Sequence, residues 1–327
     1  MPFSETLPPE TLGLAVATTA AIFWAVSSLI WGVAGVKFKP IVLNCYKGLA
    51  AVVLFAITML VMGESVVEPL TKVAPWKLIV LGASGIVGIA AGDTCYFASL
   101  NRIGPRQASL LYLLSSPMVA GLGWVFLGEA LSLWSILGIL LAVGGVAWVV
   151  TEEKQPPRPG RDVKEGMVGS AVTKQQVLIG VLFGVLAATG QSVGAVMNRG
   201  IVGDVDPDKA SEIWTAMWRL VIGTSVLLPA VIVISRRPKP ASKKPTGKFW
   251  LLLATAIFLG TYCGIWMQQA AFTWARAGMA QTMLSTTPIW ILPMAALAGE
   301  RITLKAVLGS LVAFGGVVLL FSQSGNG

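Results

Sequence analysis

The sequence has no histidine and only three cysteines among its 327 residues. Without histidine there is no imidazole for acid–base work or metal ligation, and no Cys/His zinc site. Cys45, Cys95 and Cys263 each fall inside an apolar stretch, so a disulfide framework is not indicated. Charge is scarce as well: 12% of residues are charged against 55% hydrophobic, where a soluble domain carries about 25% charge. The mean hydropathy is +0.77. A soluble core of this length cannot hide so much apolar surface, so the chain reads as an all-α polytopic membrane protein. The opening MPFSETLPPETLG contains no Lys or Arg. The basic start of a secretory leader is therefore missing, and the first apolar run is expected to be a mature helix. No GxxxxGK[ST] pattern occurs, so there is no phosphate-cradling loop for ATP hydrolysis.

What is present is a series of apolar runs. Ten are long enough to cross a bilayer, at about 20 residues each: 11–35, 41–62, 77–100, 106–127, 132–150, 176–198, 212–235, 249–272, 279–298 and 304–321. They are continuously apolar rather than alternating, which favours helices over a barrel. Most links are short, such as KFKP, NRIGP and GEALS. A Pro/Gly-rich charged stretch over 151–175 separates a first unit, 1–150, from a second, 176–327. The formal net charge of +9 comes from basic residues gathered between the runs. That is the distribution of topological charge, not of a nucleic-acid surface.

The two units repeat one another. SSPMVAGLGWVFLGE at 115–129 and TTPIWILPMAALAGE at 286–300 are offset by 171 residues. The same offset superimposes Pro117 on Pro288, Glu129 on Glu300, Gly138 on Gly309, and Gly144-Gly145-Val146 on Gly315-Gly316-Val317. Tyr46-Lys47 meets Trp218-Arg219 at an offset of 172. Each unit holds five runs, an odd number, so the second copy is expected to enter the membrane from the opposite side. The expected architecture is ten transmembrane helices as two inverted five-helix repeats, a plan common among secondary transporters.

These motifs (P-x11-E followed by G-x5-GGV in both units, with a basic residue early in the second helix) resemble the EamA-like branch of the drug/metabolite transporter superfamily. The second unit departs slightly, with Ala-Gly-Glu at 298–300 where the first has Leu-Gly-Glu. The resemblance implies a transporter with a central path lined by helices one, three, four, six, eight and nine. On those helices lie Trp24, Ser28, Tyr96, Tyr112, Ser116, Gln191, Tyr262, Trp266, Thr287 and Trp290, which become candidates for the path. It also implies a small-molecule substrate, no cofactor and no catalysis.

The residues carry their own argument. Asp93 lies eight residues before Asn101, and Lys47 seven residues past Pro40; at 1.5 Å per residue both sit roughly 10–12 Å inside the same face. An unpaired charge there is expensive, so Asp93 is read either as the ion-pair partner of Lys47 or as a titratable site for a proton or cationic substrate. Its counterpart in the second unit is Gly264. Arg219 has Glu212 seven residues earlier on the same helical face, a local partner in reach. Pro117 and Pro288 are expected to kink their helices, with the preceding Ser and Thr hydroxyls rebonding the freed backbone or lining the path. Glu129 and Glu300 precede Ser132 and Thr303, plausible N-caps, and read as part of a helix-cap motif.

Setting aside Lys47 and Arg219, the face holding both termini carries five Lys/Arg and the other seventeen. The positive-inside rule then puts the termini outside, whereas the family resemblance puts them inside. The expected location is a bacterial-type cytoplasmic (inner) membrane, with the bilayer and a small solute as partners, no nucleic acid, and a homodimer left open. Two transport readings remain: export or uptake of a small metabolite such as an amino acid, coupled to protons or to exchange, and broad efflux of lipophilic cations. A non-transporting scaffold is the third.

Overall fold

The computed structural model describes residues 8–128, 131–151, 173–202, 210–235, 246–275 and 277–322. Nearly all of them are helical. Pro9, Pro40 and Pro75 open α1 (Pro9–Gly35), α2 (Pro40–Met62) and α4 (Pro75–Gly85). Proline is favoured there because its missing N–H would lack a helical partner anyway. Gly63, at φ 74°, closes α2 in the left-handed conformation. A short α3 (Pro69–Lys72) precedes α4.

After α4 the chain continues as a π-helical segment, Ile86–Asp93, and then as α5 (Thr94–Tyr112). Gly104, at φ 83° and ψ 166°, interrupts α5 just before Pro105, where NRIGP marked a link. The remaining helices are α6 (Ser115–Leu127), α7 (Leu133–Val150), α8 (Lys174–Val202), α9 (Glu212–Ser235), α10 (Gly247–Ala256), a second π segment (Ile257–Cys263), α11 (Gly264–Trp274), α12 (Ala277–Leu284), α13 (Thr287–Leu297) and α14 (Leu304–Ser322). The two π segments start at Ile86 and Ile257, the same 171-residue offset that relates the sequence motifs.

Eight helices among the described residues are long and apolar enough to cross a membrane. The shortfall from ten has a physical origin. The fourth and ninth apolar runs are broken, at Leu113-Leu114 and Ser285-Thr286, into pairs of shorter helices. Pro117 and Pro288 were expected to kink continuous helices; instead they sit in the first turns of α6 and α13. At that position a missing N–H costs little, so the chain restarts a helix after a turn.

The packing crosses between the halves. α7 lies against α14, and α2 against α9. α1 packs on α11, α12, α13 and the second π segment, while α8 packs on α4, α5, α6 and the first π segment. The first long helix of each half thus contacts the broken and π-bulged region of the other. The main core joins Trp31, Leu43, Phe97, Leu110, Val146 and Val317. Large apolar side chains cover the outside, Val61 at 82% and Leu133 at 83% exposure among them, as a lipid-facing surface requires.

Candidate functional site

A π segment has i→i+5 spacing, so some carbonyls lose their α-helical partners. Asn44 of α2 fills that gap: its Nδ2 donates to the Ile89 carbonyl at 2.8 Å and to Thr94 Oγ1 at 3.0 Å. This clamp holds α2 against the first bulge. One turn on along α2, Lys47 forms an ion pair with Asp93, the last residue of the bulge. Its ammonium also lies 5.5 Å from the Phe97 ring centroid, a cation–π arrangement. The two side chains are only 9% and 20% exposed, so each carries most of the other's compensation.

Around this pair stand the aromatic and polar candidates. Tyr96 OH and Ser28 Oγ are 2.9 Å apart, joining α5 to α1. Tyr96 and Tyr112 have ring centroids 5.1 Å apart. Tyr96 follows three residues after Asp93 on α5, and Arg219 and Gln191 approach the π segment that Asp93 ends. Arg219 enters from α9. Gly85 allows the approach, since a Cβ there would lie 2.2 Å from the Arg219 carbonyl oxygen. A Cβ at Gly88 would lie 3.5 Å from Arg219 Nη2 and 3.7 Å from Gln191 Oε1, so both side chains converge on the bare backbone of the bulge. Arg219 Nε is buried without a hydrogen-bond partner. Arg219 makes no ion pair among the described residues, so Glu212 is not the local partner that the spacing offered.

Other candidates belong elsewhere. Ser116, beside the first helix break, lies 3.1 Å from Ser285 Oγ beside the second, and Gln281 donates to Ser116 at 3.4 Å. Thr287 Oγ1 donates to the Leu284 carbonyl at 3.0 Å, and Trp290 Nε1 to Thr286 Oγ1 at 3.1 Å. The hydroxyls of TTP therefore stitch the ninth-run break locally. Trp24 Nε1 donates to the Gly260 carbonyl at 2.8 Å in the second π segment. Tyr262 OH is 2.6 Å from Thr58 Oγ1 on α2, with Trp266 5.7 Å from its ring, so both form a separate cluster.

In the cap motif, Ser132 Oγ accepts from the Ser135 amide at 3.0 Å and Thr303 Oγ1 from the Ala306 amide at 3.1 Å. Glu300 instead meets Arg106 of α5, Nε to Oε1 2.7 Å, in a partly buried ion pair between the halves. Glu129 and residues 152–172 of the linker lie outside the described residues. Among the described residues no group of three or more Cys, Asp or Glu could hold a metal.

Asn44 and the Arg106–Glu300 pair escaped sequence reasoning. Asn44 lies three residues before Lys47, so helical spacing from an ionisable residue could have found it. No local pattern connects Arg106 to Glu300, 194 residues apart.

Comparison with known proteins bears on the fold and the family. A crystal structure of a protein 17% identical to this chain shares its fold, with a TM-score of 0.64 over 95% of this chain and 96% of that one. An uncharacterized transporter of Clostridium kluyveri is 24% identical over 136 residues, or 42% of this chain. The chain spans 43% of that relative's length. The EamA-like transporter family matches residues 11–151 and 178–322. With nearly all of its length matched in this way, the chain belongs to the EamA-like transporter family and is an integral membrane protein.

Proposed function

We propose that the chain is a secondary active transporter that moves a small organic metabolite by alternating access, with no catalytic step. Its path would run between the halves, past Lys47–Asp93, Ser28, Tyr96, Tyr112, Gln191 and Arg219. One observation carries this reading: the first long helix of each half packs against the broken, π-bulged segments of the other, and ionisable residues sit at that seam. Irregular backbone at membrane depth is tolerated where it is buried in protein or lines a cavity. In this reading each broken run completes a crossing, giving ten in two inverted sets of five, and the Arg106–Glu300 pair closes one end of the path. The basic loops then face the cytoplasm and the termini face out. Coupling would come from an ion gradient or from exchange.

Efflux of lipophilic cations fits the site less well, because the Asp93 carboxylate is already paired with Lys47 and Arg219 adds positive charge.

Accessibility tests the reading. With Cys45, Cys95 and Cys263 replaced by Ser, a cysteine at Gln281 should react with membrane-impermeant thiol reagents from either side of sealed vesicles. Metabolite pools of cells lacking and overproducing the chain should differ in a small set of solutes. A cysteine reached from neither side, with unchanged pools, would favour a scaffold.

A further inference from the structure

We propose that Arg219, flanked by Gln191, is the subsite that takes the carboxylate of a small organic monocarboxylate substrate. The inference rests on the transport reading above and adds the substrate's chemical class.

The charges at the seam do not balance. Lys47 and Arg219 are cations and Asp93 is the one acid beside them among the described residues, so the set carries one net positive charge. Lys47 has consumed Asp93 by direct pairing. Arg219 forms no ion pair among the described residues, and its buried Nε has no hydrogen-bond partner. A guanidinium keeps its proton in proteins, so Arg219 cannot escape the cost of burial by neutralising.

The repeat shows what is missing. Arg219 stands where Lys47 stands in the first half, but Gly264 occupies the position of Asp93. A side chain there would have to displace Trp24, since a Cβ on Gly264 would lie 2.4 Å from Trp24 Nε1. The second cation is thus left without an acid at the matching position.

Its neighbours suit an incoming anion. Gln191 and the guanidinium converge over Gly88, which has no side chain of its own, and a carboxamide beside an arginine fork can donate to the same carboxylate. A guanidinium fork matches carboxylate and phosphate geometry alike. The charge count separates them. One carboxylate brings the seam to neutrality, whereas a doubly charged phosphate ester overshoots to net negative in a poorly solvated place.

The test is uptake by proteoliposomes holding the full-length chain. The probes are labelled lactate, pyruvate and benzoate, their neutral carboxamides, glycerol 3-phosphate and tetraethylammonium. We expect carboxylates alone to move. Arg219→Gln should cut that uptake by about 30-fold or more, the scale of losing a charge-assisted contact. Arg219→Lys, which keeps the charge but loses the fork, should fall in between. Gln191→Glu should also suppress it by giving Arg219 an internal partner, and that variant guards against misreading a folding defect, since it adds a compensating charge. Preferred uptake of the carboxamides, the phosphate ester or tetraethylammonium overturns the inference and leaves the transport reading standing. So does carboxylate uptake indifferent to both Arg219→Gln and Gln191→Glu. A panel in which nothing moves counts against transport itself, and the inference falls with it.

Discussion

The two halves place a cation at the same register of their second long helix and then treat it oppositely. Lys47 sits beside a π segment that ends in Asp93, and the two pair. The second half has a matching π segment, but that one ends at Cys263 and runs into Gly264, and Arg219 lies over the first one instead. Around the first bulge the partners are polar: Asn44 on its carbonyls, Lys47 on its acid, Gln191 and Arg219 over its glycine. Around the second they are aromatic: Trp24 on a carbonyl, and Phe55, Phe258 and Trp266 against Tyr262. A duplicated frame has kept its backbone irregularity in both copies and confined its ionisable chemistry to one side. The backbone irregularity recurs at the same offset in both halves, whereas the side chains around it do not.

The largest expected effect breaks this comparison at its centre. Asp93→Asn leaves Lys47 buried and unpaired, which should cost about 3–5 kcal/mol and lower the melting temperature in detergent sharply. Adding Lys47→Gln to that variant should restore most of the loss. Arg219→Gln removes a cation with no ion-pair partner among the described residues, so its melting temperature should stay level or rise. Equal destabilisation by Asp93→Asn and Arg219→Gln would mean that the two cations are compensated alike, and the asymmetry would disappear.

How much of this asymmetry the sequence reveals follows from range. The internal offset, the apolar runs and the common depth of Lys47 and Asp93 are properties of spacing along the chain, and the helices follow that spacing. The π segments are not legible: IVGIAAGD and IFLGTYC are mostly apolar and lie inside continuous apolar runs, and the extra residue per bulge leaves no pattern along the chain. Pro117 and Pro288 signal an interruption but not its kind. Whether a helix kinks or restarts depends on what the Ser and Thr hydroxyls find in three dimensions, as with Ser116 and Ser285. The same limit governs Arg219, which could reach Glu212 by helical spacing yet turns toward the bulge because Gly85 lets α9 approach there.

Where the halves agree, smaller perturbations should act equally. α7 and α14 touch backbone to backbone: a Cβ on Gly145 would lie 2.5 Å from the Ala313 nitrogen, and one on Gly316 2.4 Å from the Ala142 nitrogen. Backbone cannot move aside as a side chain can, so Gly145→Ala and Gly316→Ala should each cost about 1–3 kcal/mol by forcing the helices apart. Gly144 and Gly315, adjacent in sequence, have nothing within 4 Å of a built Cβ. Alanine there should be neutral or slightly stabilising, because it forms helix better than glycine. Thermal melts of the four single variants read this directly, and a different response between Gly145 and Gly316 would mean that the pair is not built alike from both halves.

The smallest effect examines the join into those same helices. Ser132 and Thr303 each accept a backbone N–H three residues on, so Ser132→Ala and Thr303→Ala should each cost about 1 kcal/mol. The local geometry predicts equality, since both hydroxyls satisfy one orphan donor at the start of a helix. The surroundings allow a difference: three residues before Thr303, Glu300 is tied to Arg106 of the other half, so loosening the start of α14 could also release that ion pair. A Thr303→Ala loss close to that of Ser132→Ala would make the cap local and the Arg106–Glu300 contact independent of it. A loss two- to threefold larger, abolished when Glu300→Gln is already present, would make the cap part of the closure between the halves.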